Sequence, residues 1–167
     1  MDNELLKMLY RKYKREIYLY LYSMCRNADT AEELMQETFL KALLSLSENH
    51  TNMRAWLYMV ARNLYFNHRK TELRTEPRDE ITLEEDIKNS DILGSVIRTE
   101  QHQLLFKALQ TLSDNKRDIL LLQYFNRLSQ KEISEILKIT PANVRVLALR
   151  AKREIKQYME EHGYDIP

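Results

Sequence analysis

The chain has 167 residues, of which 44% are hydrophobic and 31% charged, a mixture typical of a globular protein and not of a disordered one. Two Gly and three Pro are too few for the turns of a β-sandwich, and long stretches rich in Leu, Met, Ala, Lys and Glu favour helix. One cysteine excludes an internal disulfide, and no apolar stretch reaches the about 20 residues of a membrane span. The composition therefore predicts an all-α protein. Because the charged N-terminal stretch also lacks the apolar core of a signal peptide, we expect a cytoplasmic protein without membrane insertion.

The net charge of +1 is unevenly distributed along the chain. Residues 1–70 carry a balance of +3, residues 71–100 a balance of −5, and residues 101–167 again +3. Two mildly basic segments joined by an acidic one suit a polyanionic partner, although an ordinary solvated surface explains so small an excess equally well.

Apolar residues at spacings of three and four predict three helices in the first 70 residues. The first helix covers residues 3–24, and the second runs from a capping-box-like start at Asp29–Glu32 to near Ser47. Asn52 is the expected cap of the third helix. The predicted buried side of that third helix consists of Met53, Trp56, Leu57, Val60, Ala61 and Leu64.

Residues 71–99 interrupt the helical pattern. This segment contains Pro77, Gly94, clustered acidic residues and few apolar residues. A loop of this length is uncommon inside one compact domain. The sequence therefore predicts two small helical domains, residues 1–70 and 100–167, joined by a flexible acidic linker.

The second domain has the spacing of a helix-turn-helix. A capping box at Ser129–Glu132 starts a short helix that ends at Leu137, and Thr140-Pro141 starts another that reaches about Met159. The helix that starts at Thr140-Pro141 is of a type that fits the DNA major groove, although an αα-hairpin with a solvated basic face has the same pattern. Its predicted outward residues are Asn143, Arg145, Val146, Leu149, Arg150, Lys152 and Arg153.

Two helices of the first domain also have distinctive outer faces. Basic residues alternate with aromatic ones along the third helix, a pattern suited to single-stranded nucleic acid but also found on ordinary solvated helices. The second helix carries an exposed Leu40 among polar residues. This leucine either belongs to a docking surface or is an isolated exposed apolar residue, which is common on proteins. The predicted outward residues of the third helix are Arg54, Tyr58, Arg62, Asn63, Tyr65, Phe66, Asn67, Arg69 and Lys70, and those of the second are Glu33, Gln36, Glu37, Leu40 and Lys41.

Three segments, in this order, resemble the bacterial sigma factors of the extracytoplasmic-function (ECF) type. AEELMQETFLKAL is similar to the helix that grips the clamp coiled coil of RNA polymerase, and AWLYMVARNLYFNHRK to the segment that melts and reads the −10 element. ALQTLSDNKRDILLLQYFNRLSQKEISEILKIT resembles the C-terminal domain that reads the −35 duplex. The resemblance covers most of the chain outside the linker.

The resemblance implies a dissociable polymerase subunit that recognises and melts promoters. Its partners would be the clamp coiled coil and flap of core polymerase, promoter DNA and an inhibitory anti-sigma factor. Core binding is assigned to Glu33, Gln36, Glu37 and Leu40. The −10 strand is assigned to His50, Asn52, Met53, Arg54, Tyr58, Arg62, Asn63 and Arg69, and the −35 duplex to the seven outward residues of the last helix.

Three positions depart from the family pattern. Lys138 stands where Gly is common in the turn, which predicts a left-handed backbone at a residue other than Gly. Leu147 replaces a frequent Arg, and Asn67 a frequent Asp. Promoter preference therefore cannot be transferred from a relative.

No catalytic or cofactor motif is present in the sequence. The four histidines lie on separate segments without metal-ligand spacing, and no Gly-rich phosphate loop occurs. We expect a non-enzymatic protein without metal or cofactor. Two other functions stay open: a stand-alone helix-turn-helix regulator that binds duplex operators without polymerase, and an anti-sigma-like or purely structural helical protein.

Overall fold

The computed structural model describes residues 2–72 and 83–164, and most of their helices lie where apolar spacing predicted them. In these ranges all regular structure is helical, as predicted. The chain divides into two compact units, Met1–Leu93 and Gly94–Pro167. Among the described helices, none combines the length and apolarity of a membrane span.

The first unit is built around one long helix. The helices of this unit are α1 (Asn3–Cys25), α2 (Ala28–Ser45), α3 (Met53–Glu72), α4 (Leu83–Asn89) and the beginning of α5 (Asp91–Val96). The C-terminal half of α1 is buried on most sides through Ile17, Tyr18, Tyr20, Leu21, Tyr22 and Met24. Packing of α2 and α3 against α1 therefore forms the core of this unit.

The starts of α2 and α3 are set by asparagine caps. Asn27 caps α2 by accepting a hydrogen bond from the Thr30 amide at 3.0 Å, directly after Arg26 has ended α1 in a left-handed conformation. The predicted capping box at Asp29–Glu32 is therefore wrong, because α2 has already begun at Ala28. The predicted cap at Asn52 is confirmed, since its Oδ1 accepts from the Ala55 amide at 3.0 Å.

Part of the predicted linker is helical and belongs to the first unit. The hydroxyl of Tyr22 donates to Oδ2 of Asp86, a buried residue of α4, at 2.8 Å, and the backbone N–H of Ala28 also donates to this carboxylate. Leu93 is fully buried. The first unit thus extends well past residue 70, because α4 brings a buried carboxylate to the start of α2. Residues 73–82 of the predicted linker lie outside the described residues.

The second unit packs its helices around a largely aliphatic core. It contains α6 (Glu100–Thr111), α7 (Asp114–Leu120), a π-helical turn (Leu121–Phe125), α8 (Gln130–Leu137) and α9 (Pro141–Glu161). The buried Arg117 of α7 donates to the carbonyls of Leu109 and Leu112, at 3.1 and 3.0 Å, and thereby satisfies acceptors at the end of α6. The fully buried core residues include Ile119, Leu122, Ile133 and Val144.

The predicted helix-turn-helix is formed by α8 and α9. Both hydrogen bonds of the Ser129–Glu132 capping box are present, at 3.1 and 2.9 Å. Thr140 caps α9 by accepting from the Asn143 amide at 3.2 Å, with Pro141 at the first helical position. Between the helices, the hydroxyl of Ser134 donates to the carbonyl of Ile139.

Lys138 ends α8 in a left-handed conformation, with φ 57° and ψ 44°. A residue with a Cβ is strained there, whereas Gly is not, although Gly also raises the entropy of the unfolded chain. We expect Lys138→Gly to stabilise the second unit by about 0.5–1 kcal/mol. Slower amide hydrogen exchange in α9 would measure this gain.

The matched control for this substitution is Glu135→Gly, at an exposed position in the interior of α8. There the backbone is already helical, and Gly should cost about 0.5–1 kcal/mol. Equal exchange rates in wild type and Lys138→Gly would contradict the strain at this turn.

The pKa of Asp86 is raised in the folded protein. Burial of the carboxyl group is the main cause, and the nearby acidic residues Asp29 and Glu85 act in the same direction. The hydrogen bonds from Tyr22 and Ala28 oppose the shift without cancelling it. Because the folded protein holds this proton more tightly than the unfolded chain, stability falls as pH rises from about 4 through the folded pKa.

We expect Asp86→Asn to gain stability relative to wild type as pH rises from about 4 to 7, because the neutral amide avoids burial of a charge. Trp56, the single tryptophan, lies in α3, so its fluorescence during urea unfolding follows the first unit alone. Glu84→Gln, at an exposed position on α4, is the control and should not change the pH dependence. If the stability of Asp86→Asn falls relative to that of wild type over this pH range, the expectation is refuted.

Candidate nucleic-acid interfaces

All seven side chains that the sequence assigned to duplex DNA lie on the outer face of α9. Each of them is exposed, while Val144, Ala148 and Ala151 face the core. Arg145 donates through Nη1 to Oε1 of Gln130 on α8 at 3.3 Å, so its guanidinium is held near the start of the helix-turn-helix. The exposed residues are Asn143, Arg145, Val146, Leu149, Arg150, Lys152 and Arg153.

The order of chemistry along α9 is suited to a DNA groove. An amide and a guanidinium, the groups that pair with adenine and guanine edges, occupy the first turns at Asn143 and Arg145. Three cations follow further along the helix, where side chains of DNA-binding helices meet the phosphate backbone. The exposed apolar residues Val146 and Leu149 lie between them and can contact thymine methyl groups.

The buried side of α3 differs from the one that the sequence predicted. Tyr58 is fully buried and Tyr65 nearly so, although both were predicted to face outward. The ring of Tyr58 packs edge-on against Tyr20 of α1, with centroids 5.3 Å apart. The predicted contact of Tyr58 with the −10 strand is therefore wrong, because a ring inside the core cannot stack on a base. Several predicted core residues are instead only half-buried: Met53, Trp56, Val60 and Leu64.

Arg54, another predicted DNA contact, forms a two-pronged ion pair with Glu16 of α1. Its Nε and Nη2 lie 2.8 and 3.1 Å from the two carboxylate oxygens. The hydrogen bond to Glu16 raises the pKa of Arg54, and the guanidinium lies 5.6 Å from the Tyr58 ring centre. This half-buried pair joins α1 to α3. Sequence reasoning missed Glu16, because an ion pair between residues 38 positions apart has no local signal.

The outer face of α3 is still rich in cations and amides. Arg62 lies with its guanidinium 4.6 Å from the ring centre of Phe66, so one cation and one half-buried ring form a pair on this face. Aromatic–cation pairs of this kind suit unpaired bases and their backbone. The exposed polar residues of this face are Asn63, Asn67, Arg69 and Lys70.

The loop before α3 is ordered by its own hydrogen bonds. The amide of Asn52 donates to Nδ1 of the exposed His50 at 3.2 Å, while the Asn52 side chain caps α3. Glu48 accepts from the backbone amide of Asp2 at 2.7 Å. His50, Asn52 and the half-buried Met53 are thus neighbours at the N-terminal end of α3.

The outer face of α2 presents one continuous stripe. Glu33, Gln36, Glu37 and Leu40 are all exposed at helical spacing, and Leu40 is 54% exposed. Leu44 extends the stripe by one turn and is 74% exposed, a residue that the same spacing could have identified. Beside the stripe, Leu40 borders a shallow groove between α1 and α2. The other residues that line this groove are Leu6, Lys7, Tyr10, Arg11, Phe39 and Leu43.

The described residues contain no group of three or more His, Cys, Asp or Glu side chains placed to hold a metal. Burial raises the pKa of the Cys25 thiol to about 12, and this thiol donates to the Asn27 carbonyl.

Two family models match the chain in the order that the resemblance predicted. Residues 9–75 match Sigma-70 region 2, and residues 102–155 match Sigma-70 region 4. The first match contains the outer faces of α2 and α3 and the loop between them, and the second contains the helix-turn-helix.

Solved structures confirm the fold. The sigma factor RpoE from Bartonella quintana, in complex with the anti-sigma factor NepR, superposes with a TM-score of 0.72 at 20% identity, over 92% of this chain and 96% of that chain. CnrH, in complex with the cytosolic domain of CnrY, superposes with a TM-score of 0.69 at 15% identity, over 96% and 90%.

Curated relatives show the family. The ECF RNA polymerase sigma factor SigM of Bacillus subtilis is 31% identical over 154 residues, which cover 89% of this chain and 91% of that protein. The RNA polymerase sigma factor YlaC of the same organism is 32% identical over 156 residues, 90% of each chain. The chain is therefore a member of the ECF sigma factors, the alternative sigma subunits that direct RNA polymerase to promoters and initiate transcription.

Proposed function

We propose that the three outer faces divide the work of a sigma factor. The α2 stripe binds core polymerase, the loop and outer face of α3 hold the melted −10 strand, and α9 reads the −35 duplex. The observation that carries this assignment is the exposure of all seven predicted residues on one side of α9, the second helix of a helix-turn-helix. Each face lies within the matching sigma region.

The α2 stripe is suited to a helical partner. Its polar residues and two leucines repeat every three or four residues, so a partner helix can lie along it and bury Leu40 and Leu44 together. The acidic side chains Glu33 and Glu37 precede the two leucines on the same stripe. We assign the stripe to the clamp coiled coil of the polymerase and the second unit to the flap.

The faces on α3 and α9 are assigned to different DNA states, the melted single strand and the duplex. On α9, Arg145 reads base edges, while Arg150 and Lys152 contact the backbone. On α3, Arg62, Asn63 and Arg69 hold the non-template strand beside His50, Asn52 and Met53, which surround an unstacked base. Arg54 has a supporting role in this proposal, because Glu16 already occupies its guanidinium.

An anti-sigma factor is the proposed regulator of this chain. The support is that two structures with the same fold, RpoE and CnrH, are complexes with NepR and with the cytosolic domain of CnrY. We further propose that the protein acts by binding, without catalysis, in the cytoplasm and on the nucleoid when active. The family membership favours this function over a stand-alone helix-turn-helix regulator.

Leu40→Asp should weaken binding to core polymerase by about tenfold or more, because a charge in the interface would lose its hydration without a partner. Stability should change little, since Leu40 is exposed. Titration of labelled protein with purified core polymerase measures the affinity.

Leu149→Asp is the matched control, an equally exposed leucine on the DNA-reading face of α9. It should keep core binding and lose promoter binding by the holoenzyme, whereas Leu40→Asp should already lose core binding. Undiminished core binding by Leu40→Asp would refute the role of the α2 stripe.

Changes in the loop should reduce promoter melting without reducing core binding. We expect His50→Ala, Met53→Ala and Asn52→Ser each to lower the permanganate reactivity of −10 thymines in the holoenzyme complex, because the flipped base loses its contacts. Serine is chosen at position 52 because it can still cap α3, which alanine cannot.

Asn49→Ala, an exposed change in the same loop, controls for general loop damage and should leave melting intact. The loop's role would be disproved by wild-type permanganate reactivity in all three variants, or by an equal loss in Asn49→Ala.

A further inference from the structure

We propose that Tyr124 is a positioning residue for Lys152, holding the ammonium group of this lysine over its ring so that it meets a DNA phosphate. The inference rests on the proposed role of α9. It assigns a function to an exposed aromatic residue that lies outside the DNA-reading helix.

The contact itself is direct. Nζ of Lys152 lies 4.1 Å from the centre of the Tyr124 ring, within the range of a cation–π interaction. Both side chains are exposed, and Tyr124 retains 45% of its accessible surface. The ammonium thus keeps access to solvent, and it can meet an anion while it remains on the ring.

The π-helical turn explains why an aromatic ring is available at this place. The amide of Asn126 donates to the carbonyl of Leu121 at 3.0 Å, which closes the turn over five residues instead of four. In a regular helix Tyr124 and Phe125 would share the faces of Leu120 and Leu121, which are buried and lie four residues before them. The two rings are instead 45% and 54% exposed, and the ring of Tyr124 contacts Lys152 of α9.

Positioning matters because a lysine side chain is flexible. Its four-carbon stem loses rotamer freedom when the ammonium is fixed at a phosphate, and this loss opposes binding. A ring that already holds the ammonium reduces the loss before DNA arrives, which strengthens the contact. No ion pair competes for Lys152 among the described residues, whereas its neighbour Glu154 is paired with Lys116.

The salt dependence of promoter binding tests this inference. Each phosphate contact contributes about 0.9 to the slope of log affinity against log salt concentration. Lys152→Ala should reduce the steepness of the slope by about 0.9. Tyr124→Leu should reduce it by the larger part of this amount and weaken binding at low salt about two- to fivefold. Tyr124→Phe, which keeps the ring, should behave as wild type.

The measurement uses holoenzyme assembled from purified core polymerase and the full-length chain. The probe is a promoter fragment that the wild-type holoenzyme has selected from genomic DNA. Phe125→Leu is the matched control, because this neighbouring ring is similarly exposed and, among the described residues, the cation–π contact of Lys152 is with Tyr124, so the slope should not change. Circular dichroism verifies that every variant keeps its helices.

The double variant decides whether Tyr124 acts through Lys152. If it does, Tyr124→Leu has no further effect once Lys152 is alanine. Additive effects of the two substitutions, or a Tyr124→Phe variant as impaired as Tyr124→Leu, would overturn the inference. A slope that Lys152→Ala leaves unchanged would instead show that the proposed phosphate contact of Lys152 is wrong.

Discussion

Burial of the C-terminal half of α1 is the constraint on which the rest of the first unit depends. This half is apolar or aromatic on nearly every side, so it can be covered only if other helices pack around it. Tyr20 packs against the ring of Tyr58 on α3, and Tyr22 donates a hydrogen bond to the carboxylate of Asp86 on α4. One helix thereby determines which sides of its neighbours face inward and which stay available to partners.

The partner faces are the sides that this packing leaves exposed. On α2, alanine and other apolar residues pack inward, and the stripe containing Leu40 and Leu44 lies outward. On α3, the two tyrosines and the Arg54–Glu16 pair are used internally, which leaves Arg62, Phe66 and nearby amides and cations on the face that we assign to nucleic acid. The same residue types can serve in the interior or at an interface, because aromatic rings and guanidinium groups suit both environments.

Local backbone geometry has a comparable role in the second unit. The left-handed Lys138 turns the chain from α8 into α9, and the π-helical turn exposes Tyr124 and Phe125 beside α9. Both features place side chains where a regular helix would not. The α9 face that we assign to DNA reading therefore depends on irregular backbone as well as on the α9 sequence.

Local sequence determined much of this protein. Helical class, the caps at Asn52, Ser129 and Thr140 and the helix-turn-helix were predicted because each depends on residues a few positions apart, whereas the left-handed Lys138 was predicted from the family resemblance. Only the tertiary structure decided that Tyr58 is internal, that Glu16 pairs with Arg54, and that Asp86 joins α4 to the first unit. The physical reason is that these contacts join residues 38 to 64 positions apart, and an amphipathic pattern shows which residues can be buried without showing which partner will cover them.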